Sequence, residues 1–493
     1  MMLTNNPPTT APSWVPAPGQ VTETFHRSAR IALLHGVPDT AEVYRSGQNS
    51  WSPAGWRRLD AEPLRIENPV RRNTADDNRW DDPVRHHSSW LLALSDGERA
   101  VLLGALEADT PRLHADRDLL AGWTETGEPG LWVLLEGTEL AVFDRYRDLL
   151  AARYGTRDRD PGTVWSSWYS FYETICRSKL DEVLEELPTL GFDTFQIDDG
   201  WQQIVGDWQP NLKFPEGVAD LAEVAADRGL RAGLWLAPFI VLPGSQAFAE
   251  RRQMLLTDAS GELVQAGENW GSPYYTYDYS RPDARDHLAE LIRTVVEQWG
   301  FTYLKLDFLQ AAAAPGRHSV ATDREAVYRM AIETIRDAAG DDIFLLGSGA
   351  PLFASLGVLD AVRTGPDVAP MWTNYATDDP SDAMAFNALR NAVERLWLRG
   401  LIGIDPDVVF ARHARNLLSG EQMQWLKDAA ILSGFRALSD PPSWLTDVER
   451  DDLRNYLGPL PATSRLGRYR FLIDDREVDF APAVHGLASP YAL

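Results

Sequence analysis

Lys305 and Asp307 stand two residues apart in the run Tyr303-Leu304-Lys305-Leu306-Asp307-Phe308. The run is apolar and aromatic at its other positions, which suits a short strand, so the two charges project to the same side of it. A satisfied ion pair in the core would account for this stretch taken alone. Other apolar runs, however, are also followed by polar residues. Residues 194–197 lead into Asp198-Asp199-Gly200, 232–238 carry Trp235, and 343–347 lead into Ser348. Residues 361–364 carry Arg363 and lead to Asp367, and 401–404 lead into Asp405-Pro406-Asp407. Each has an ordinary explanation as a turn, a cap or core packing, but together they place carboxylates, two cations and tryptophan in the same relative position after successive runs. Such a set suits a neutral sugar. Carboxylates accept from pairs of hydroxyls, Lys and Arg donate to them, and Trp offers a face to the apolar side of the ring. Two further carboxylates about an anomeric carbon can break a glycosidic bond, one attacking or guiding water and the other protonating the leaving oxygen.

Two other chemistries compete. The 9 histidines are scattered, with no His-x-His or His-Glu-x-x-His, and the adjacent His86-His87 falls in the N-terminal part of the chain. A carboxylate-only Mg²⁺ or Ca²⁺ site at Asp198-Asp199 is the metal reading that stays open. Ser348 lacks the Gly-x-Ser-x-Gly setting of a serine nucleophile and has no histidine nearby. The expectation is an enzyme without metal or cofactor.

The elements that must hold these residues follow from the texture of the chain. Residues 1–20 are rich in Pro, Thr and Asn and read as a flexible tail. Residues 21–155 show short apolar runs between turn signals, the pattern of a β-sandwich, ending in a helical stretch over 139–154. From 160 to 439, strand-like runs alternate with amphipathic helical runs. Eight strands at 164–168, 194–197, 232–238, 303–308, 343–347, 361–364, 401–404 and 436–438 predict a closed (β/α)8 (TIM) barrel. An open doubly wound sheet is weakened by the lack of a Gly-x-Gly-x-x-Gly turn. In a barrel the active site lies at the C-terminal ends of the strands, where the polar residues cluster. Residues 440–493, with strands near 468–473 and 477–480, predict a small C-terminal β domain.

Composition narrows the partners. The chain has 493 residues, 44% hydrophobic and 24% charged, with 18 Trp and a net charge of −25. That charge opposes binding to nucleic acid or an anionic membrane and is indifferent to a neutral sugar. The single cysteine, Cys176, excludes an intrachain disulfide. The N-terminus has no basic start followed by an apolar run, and no stretch is long enough to span a membrane, so a cytoplasmic location is expected.

The barrel region resembles glycoside hydrolase family 36, the bacterial α-galactosidases, in the clan that also holds family 27. The resemblance runs from about residue 164 to 440. It rests on an ordered set: Trp165-Ser166-Ser167-Trp168-Tyr169, Phe195-Gln196-Ile197-Asp198-Asp199-Gly200-Trp201, Gly206-Asp207-Trp208, Gly233-Leu234-Trp235-Leu236-Ala237-Pro238-Phe239, Lys305-Leu306-Asp307-Phe308-Leu309, Leu346-Gly347-Ser348-Gly349-Ala350-Pro351 and Arg363-Thr364-Gly365-Pro366-Asp367-Val368.

The resemblance implies a retaining α-glycosidase acting on terminal α-galactosides, with Asp307 as nucleophile and Asp367 as general acid/base about 5–5.5 Å apart. It implies that Asp198 and Asp199 bind the 4- and 6-hydroxyls, that Lys305 reaches the 3- and 4-hydroxyls and that Arg363 lies near the 2- and 3-hydroxyls. Trp168 and Trp235 should wall the sugar, and Trp51, in Asn49-Ser50-Trp51-Ser52-Pro53, should add a wall from the N-terminal domain. Lys305 should also help keep Asp307 ionised. Ser348 stands where the family has Cys, and the first strand has Ser166-Ser167 where relatives carry Cys. These departures leave N-acetylgalactosamine or β-L-arabinopyranoside open as the sugar. A transglycosylase of the same family and a sugar-binding relative without activity compete with the hydrolase.

Overall fold

The computed structural model describes residues 20–75, 82–107 and 109–486. The tail assigned to residues 1–20 lies outside them except for Gln20.

The N-terminal region forms two antiparallel sheets, one of six strands and one of four. They face each other across a packed core: Trp132 on the larger sheet is fully buried, and a Cβ on Gly122 of the smaller sheet would stand 2.8 Å from its ring. The β-sandwich expected from the spacing of the runs is therefore present. The helix Glu139–Tyr154 follows, burying Val142, Phe143, Tyr146 and Leu150 on one stripe and ending at Gly155, whose φ of 76° stops it.

The barrel strands are Thr163–Ser166, Thr194–Ile197, Arg231–Leu236, Tyr303–Leu306, Phe344–Ser348, Ala361–Arg363, Gly403–Asp405 and Arg436–Leu438, all parallel neighbours in this order. Every strand residue but Arg231 is buried, as expected for parallel strands covered on both faces. The seventh strand is broken at Pro406-Asp407. Its first half pairs with the sixth strand, and its second half, Val408–Val409, pairs with the eighth, which in turn pairs with the first. The break thus closes the ring. Asp407, in the break, has a φ of 82°.

Caps in the sequence set the helix bounds. Asp323 accepts from the Ala326 N–H to start Arg324–Ala339, and Gly340 ends it. Ser419 and Gln422 form a reciprocal cap at the start of Gly420–Ser433, and Gly434 in the left-handed region ends it. The structure differs from the expected start of the C-terminal domain at residue 440. The helix Asp447–Leu457 packs on Arg177–Leu190, the first barrel helix, with Arg454 Nε donating to the Thr189 carbonyl at 3.2 Å. The three-stranded C-terminal sheet begins only at Thr463. No helix among the described residues is long and apolar enough to cross a membrane.

The sandwich docks on the barrel through the loop 46–52. Ser50 N–H donates to the Ala350 carbonyl at 2.8 Å, Gly365 N–H to the Ser50 carbonyl at 2.7 Å, and Leu352 N–H to the Gln48 carbonyl at 3.0 Å. Arg395 Nη2 donates to the carbonyls of Ser46 and Ser52, each at 2.7 Å. Gln48 Nε2 of this loop and Trp90 Nε1 of the sandwich donate to the two carboxyl oxygens of Glu325, at 2.6 and 2.8 Å. Burial, with the charge of Asp323 added, pushes the Glu325 carboxyl up to about 7. Between an unfolded value of about 4.5 and that value, the folded protein keeps a proton that the unfolded chain gives up, so stability falls as pH rises through this window. The effect is on the order of 3 kcal/mol. Glu325→Gln is expected to flatten the fall in Tm between pH 5 and pH 8. Parallel Tm profiles for the variant and the parent would show that the seam carries no such proton.

Candidate active site

At the C-terminal ends of the strands lies a cavity of about 600 Å³. Its wall includes Trp51, Trp168, Asp198, Asp199, Trp235, Lys305, Asp307 and Asp367, eight of the ten residues singled out in the sequence. Arg363 and Ser348 lie behind this wall, buried.

Asp198 and Lys305 form a buried pair, with Nζ 2.8 Å from Asp198 Oδ2. Gln196 Nε2 donates to the same oxygen at 2.6 Å, and Ser167 Oγ accepts from the Asp198 N–H at 2.8 Å. Burial works against the Lys305 charge, but the carboxylates of Asp198, Asp307 and Asp367 together outweigh it and hold the ammonium above its ordinary pKa. As expected, the Lys305 charge favours the ionised form of Asp307. The lysine spends its short contact on Asp198 and favours the Asp307 anion only through the field of its charge. Asp199 is held by Gln202 Nε2 at 2.6 Å and Trp270 Nε1 at 2.9 Å. Burial pushes its carboxyl up to about 6, against those two hydrogen bonds, and the charges of Asp198 and Glu173 add to the rise. The turn after Asp199 needs Gly200: its φ is 111°, and a Cβ there would stand 2.7 Å from Glu173 Cα.

Asp307 follows the fourth strand. Trp235 Nε1 donates to its Oδ2 at 2.9 Å, and the Phe308 N–H donates to its Oδ1 at 2.9 Å. Phe308 itself adopts a left-handed conformation, φ 54°. For a bulky residue this costs on the order of 1–3 kcal/mol and is held by its surroundings. The Phe308 ring packs between Trp51, Trp270 and Tyr274, with centroids 5.1, 5.1 and 5.6 Å away. Burial raises the Asp307 pKa, while the Lys305 charge and hydrogen bonds from Trp235 and Ser348 oppose the rise.

Asp367 comes from the loop after the sixth strand, and its side chain is 49% exposed. Trp168 Nε1 donates to its Oδ2 at 3.2 Å, and Arg363 Nη1 stands 3.5 Å from its Oδ1. Arg363 was expected beside the sugar. The side chain is buried and is not itself part of the cavity wall, with Nε 2.8 Å from Asp405 Oδ2 and Nη1 2.8 Å from Asp407 Oδ2 and 3.2 Å from the Tyr169 hydroxyl. The strand register dictates this arrangement, because Arg363 is the direct partner of Asp405 on the seventh strand.

Trp51 reaches the cavity because the loop 46–52 docks on the barrel. Its Nε1 donates to Ser348 Oγ at 3.0 Å. Ser348 therefore meets the site through Trp51 and Asp307 rather than as cavity wall. Sequence reasoning missed Trp270. It sits at the tip of the hairpin formed by Gln265–Asn269 and Ser272–Tyr275, inserted after the third barrel strand. Its one sequence signal was an aromatic residue ahead of glycine at a turn. The outer mouth, also missed, is formed by Asn68, Arg71 and Thr74 of the sandwich region together with Ser381. Arg71 Nη1 donates to the Ser381 carbonyl at 3.0 Å and also meets Asp382. Among the described residues no group of three His, Cys, Asp or Glu side chains is arranged to hold a metal ion.

The arrangement is that of a sugar pocket with a braced, half-buried carboxylate and a second, freer carboxylate beside a cation. Comparisons with known proteins agree with it. The family model described as Melibiase matches residues 135–337. The α-galactosidase AgaA of Geobacillus stearothermophilus is 27% identical over 199 residues, 39% of this chain and 26% of that protein. The matched stretch is thus about a quarter of the length of that curated relative. An α-galactosidase from Thermus thermophilus, solved with p-nitrophenyl α-D-galactopyranoside, superposes with a TM-score of 0.87 at 41% identity, covering 96% of this chain and 97% of that one. The same enzyme solved with stachyose gives 0.82 at 41% identity, covering 91% and 96%. The AgaA structure with raffinose shares the fold, with a TM-score of 0.60 at 17% identity, covering 86% and 61%.

Proposed function

This chain belongs to the melibiase family of α-galactosidases, and on that premise we propose that it hydrolyses terminal, non-reducing α-galactosides with retention of configuration. Asp307 attacks the anomeric carbon while Asp367 gives its proton to the leaving oxygen. Asp367 then takes a proton from the water that breaks the galactosyl-enzyme. The observation that carries this reading is the contrast between the two carboxylates on one cavity. Both oxygens of Asp307 are fixed, by Trp235 Nε1 and the Phe308 N–H at 2.9 Å each, which orients a nucleophile. Asp367 is half exposed and lightly held, as a group that must exchange protons with an incoming water requires.

The sugar's hydroxyls find acceptors in Asp198 and Asp199 and a donor in Lys305, and its apolar face finds Trp235, Trp168 and Trp51. Trp270 joins this set through its hold on Asp199. Arg363 supports Asp367 from behind, and Ser348 links Trp51 to Asp307. The test is a panel of 4-nitrophenyl α-galactoside, α-N-acetylgalactosaminide, α-glucoside and β-L-arabinopyranoside, followed by NMR of the first-formed anomer. The galactoside is expected to be cleaved fastest and to release α-galactose first. Preference for another sugar, or β-galactose as the first product, would overturn the corresponding part of the proposal.

A further inference from the structure

The break in the seventh strand does more than close the barrel. Asp407 occupies it, fully buried, and each of its carboxylate oxygens has a task in holding the surrounding loops. Oδ1 accepts from the Val408 N–H at 2.7 Å, which holds the left-handed turn. Oδ2 accepts from the Val368 N–H at 2.8 Å, pairs with Arg363 Nη1 at 2.8 Å and receives the Tyr169 hydroxyl. Val368 is the residue after Asp367, and the same Arg363 nitrogen stands 3.5 Å from Asp367 Oδ1. Asp407 therefore grips Asp367 by two routes, through the backbone of its loop and through the cation that faces its carboxylate. Asp405 completes the bracket, accepting from Arg363 Nε and from the Asp407 N–H at 2.8 Å each.

We propose that Asp407 is a positioning residue for the acid/base Asp367, fixing where its proton is delivered; this rests on the reading of Asp367 given above. Asp407 forms no part of the cavity wall. Its effect must show in protonation of the leaving group and not in sugar binding.

The experiment compares kcat/KM, which reports steps up to glycosyl transfer, on p-nitrophenyl α-galactoside and on raffinose. The first has an activated leaving group that needs little protonation, and the second needs a proton. The proteins are the full chain, Asp407→Asn, Asp367→Ala and the double variant. Asp407→Asn is expected to lose on the order of a hundredfold on raffinose and about tenfold or less on the aryl substrate. In the Asp367→Ala background, adding Asp407→Asn should change either value by no more than about twofold, because the two act as one unit. Tyr169→Phe, which removes one donor to Asp407 and leaves its charge, should show a several-fold loss on raffinose alone. It also serves if Asp407→Asn does not fold. Equal losses on both substrates, or additive losses in the double variant, would overturn the inference and leave Asp407 a structural residue. If Asp367→Ala shows no leaving-group dependence, the acid/base reading falls and takes this inference with it. Dependence in Asp367→Ala without dependence in Asp407→Asn overturns the inference alone.

Discussion

Asp307→Gly is expected to lower turnover of p-nitrophenyl α-galactoside by on the order of 10⁴-fold or more, with the protein still folded. The loss follows from removing the group placed to form the covalent intermediate. Folding should survive because the side chain is half-buried at the edge of a cavity, so water can replace it on Trp235 Nε1 and the Phe308 N–H. The space left by the carboxylate admits a small anion. Added azide should attack from the face Asp307 occupied, displace the aryloxide and yield β-galactosyl azide. Residual activity close to that of the parent, or no azide product with the sugar still bound, would mean that another group attacks the anomeric carbon.

Asp367→Ala should behave differently in every respect. Loss of the acid leaves an activated aryloxide able to depart unaided, so kcat/KM on the aryl substrate should fall about tenfold or less, while on raffinose it should fall by roughly 10²- to 10⁴-fold. The galactosyl-enzyme then accumulates for want of a base. Azide should intercept it from the opposite face and give α-galactosyl azide. The two variants thus predict products of opposite configuration, and chromatography against authentic standards reads them. The same azide anomer from both variants would contradict the division of labour between the two carboxylates.

Much of this was legible in the sequence because periodicity and chemistry coincide on barrel strands. A buried parallel strand must be apolar nearly throughout, so Lys305, and Asp307 just beyond the strand, stood out against their neighbours, as did Asp198-Asp199 after Thr194–Ile197. Gly-ended helices were equally readable, and the helix expected over 139–154 is found as Glu139–Tyr154. Two things were not readable. The placing of Arg363 depends on which strand lies beside it and in what register, and only the fold reveals that Asp405 and Asp407 capture its guanidinium. Trp270 depends on the inserted hairpin of Gln265–Asn269 and Ser272–Tyr275, and only the fold brings it to Asp199. The helix Asp447–Leu457 was absorbed into a β domain because its charged face is wide, and only its packing on the first barrel helix shows where it belongs.

The docking of the loop 46–52 bears on any attempt to shorten this protein. Trp51 of the cavity wall is delivered from the sandwich on a loop bolted down by main-chain hydrogen bonds to barrel loops. A barrel produced by itself would be a trough with one side missing, and Phe308, next to Asp307, would be deprived of a ring that keeps it in an unfavourable backbone state. The sandwich is thus a working part of the enzyme and not an ornament to it. Trimming to a minimal unit should keep both modules or neither.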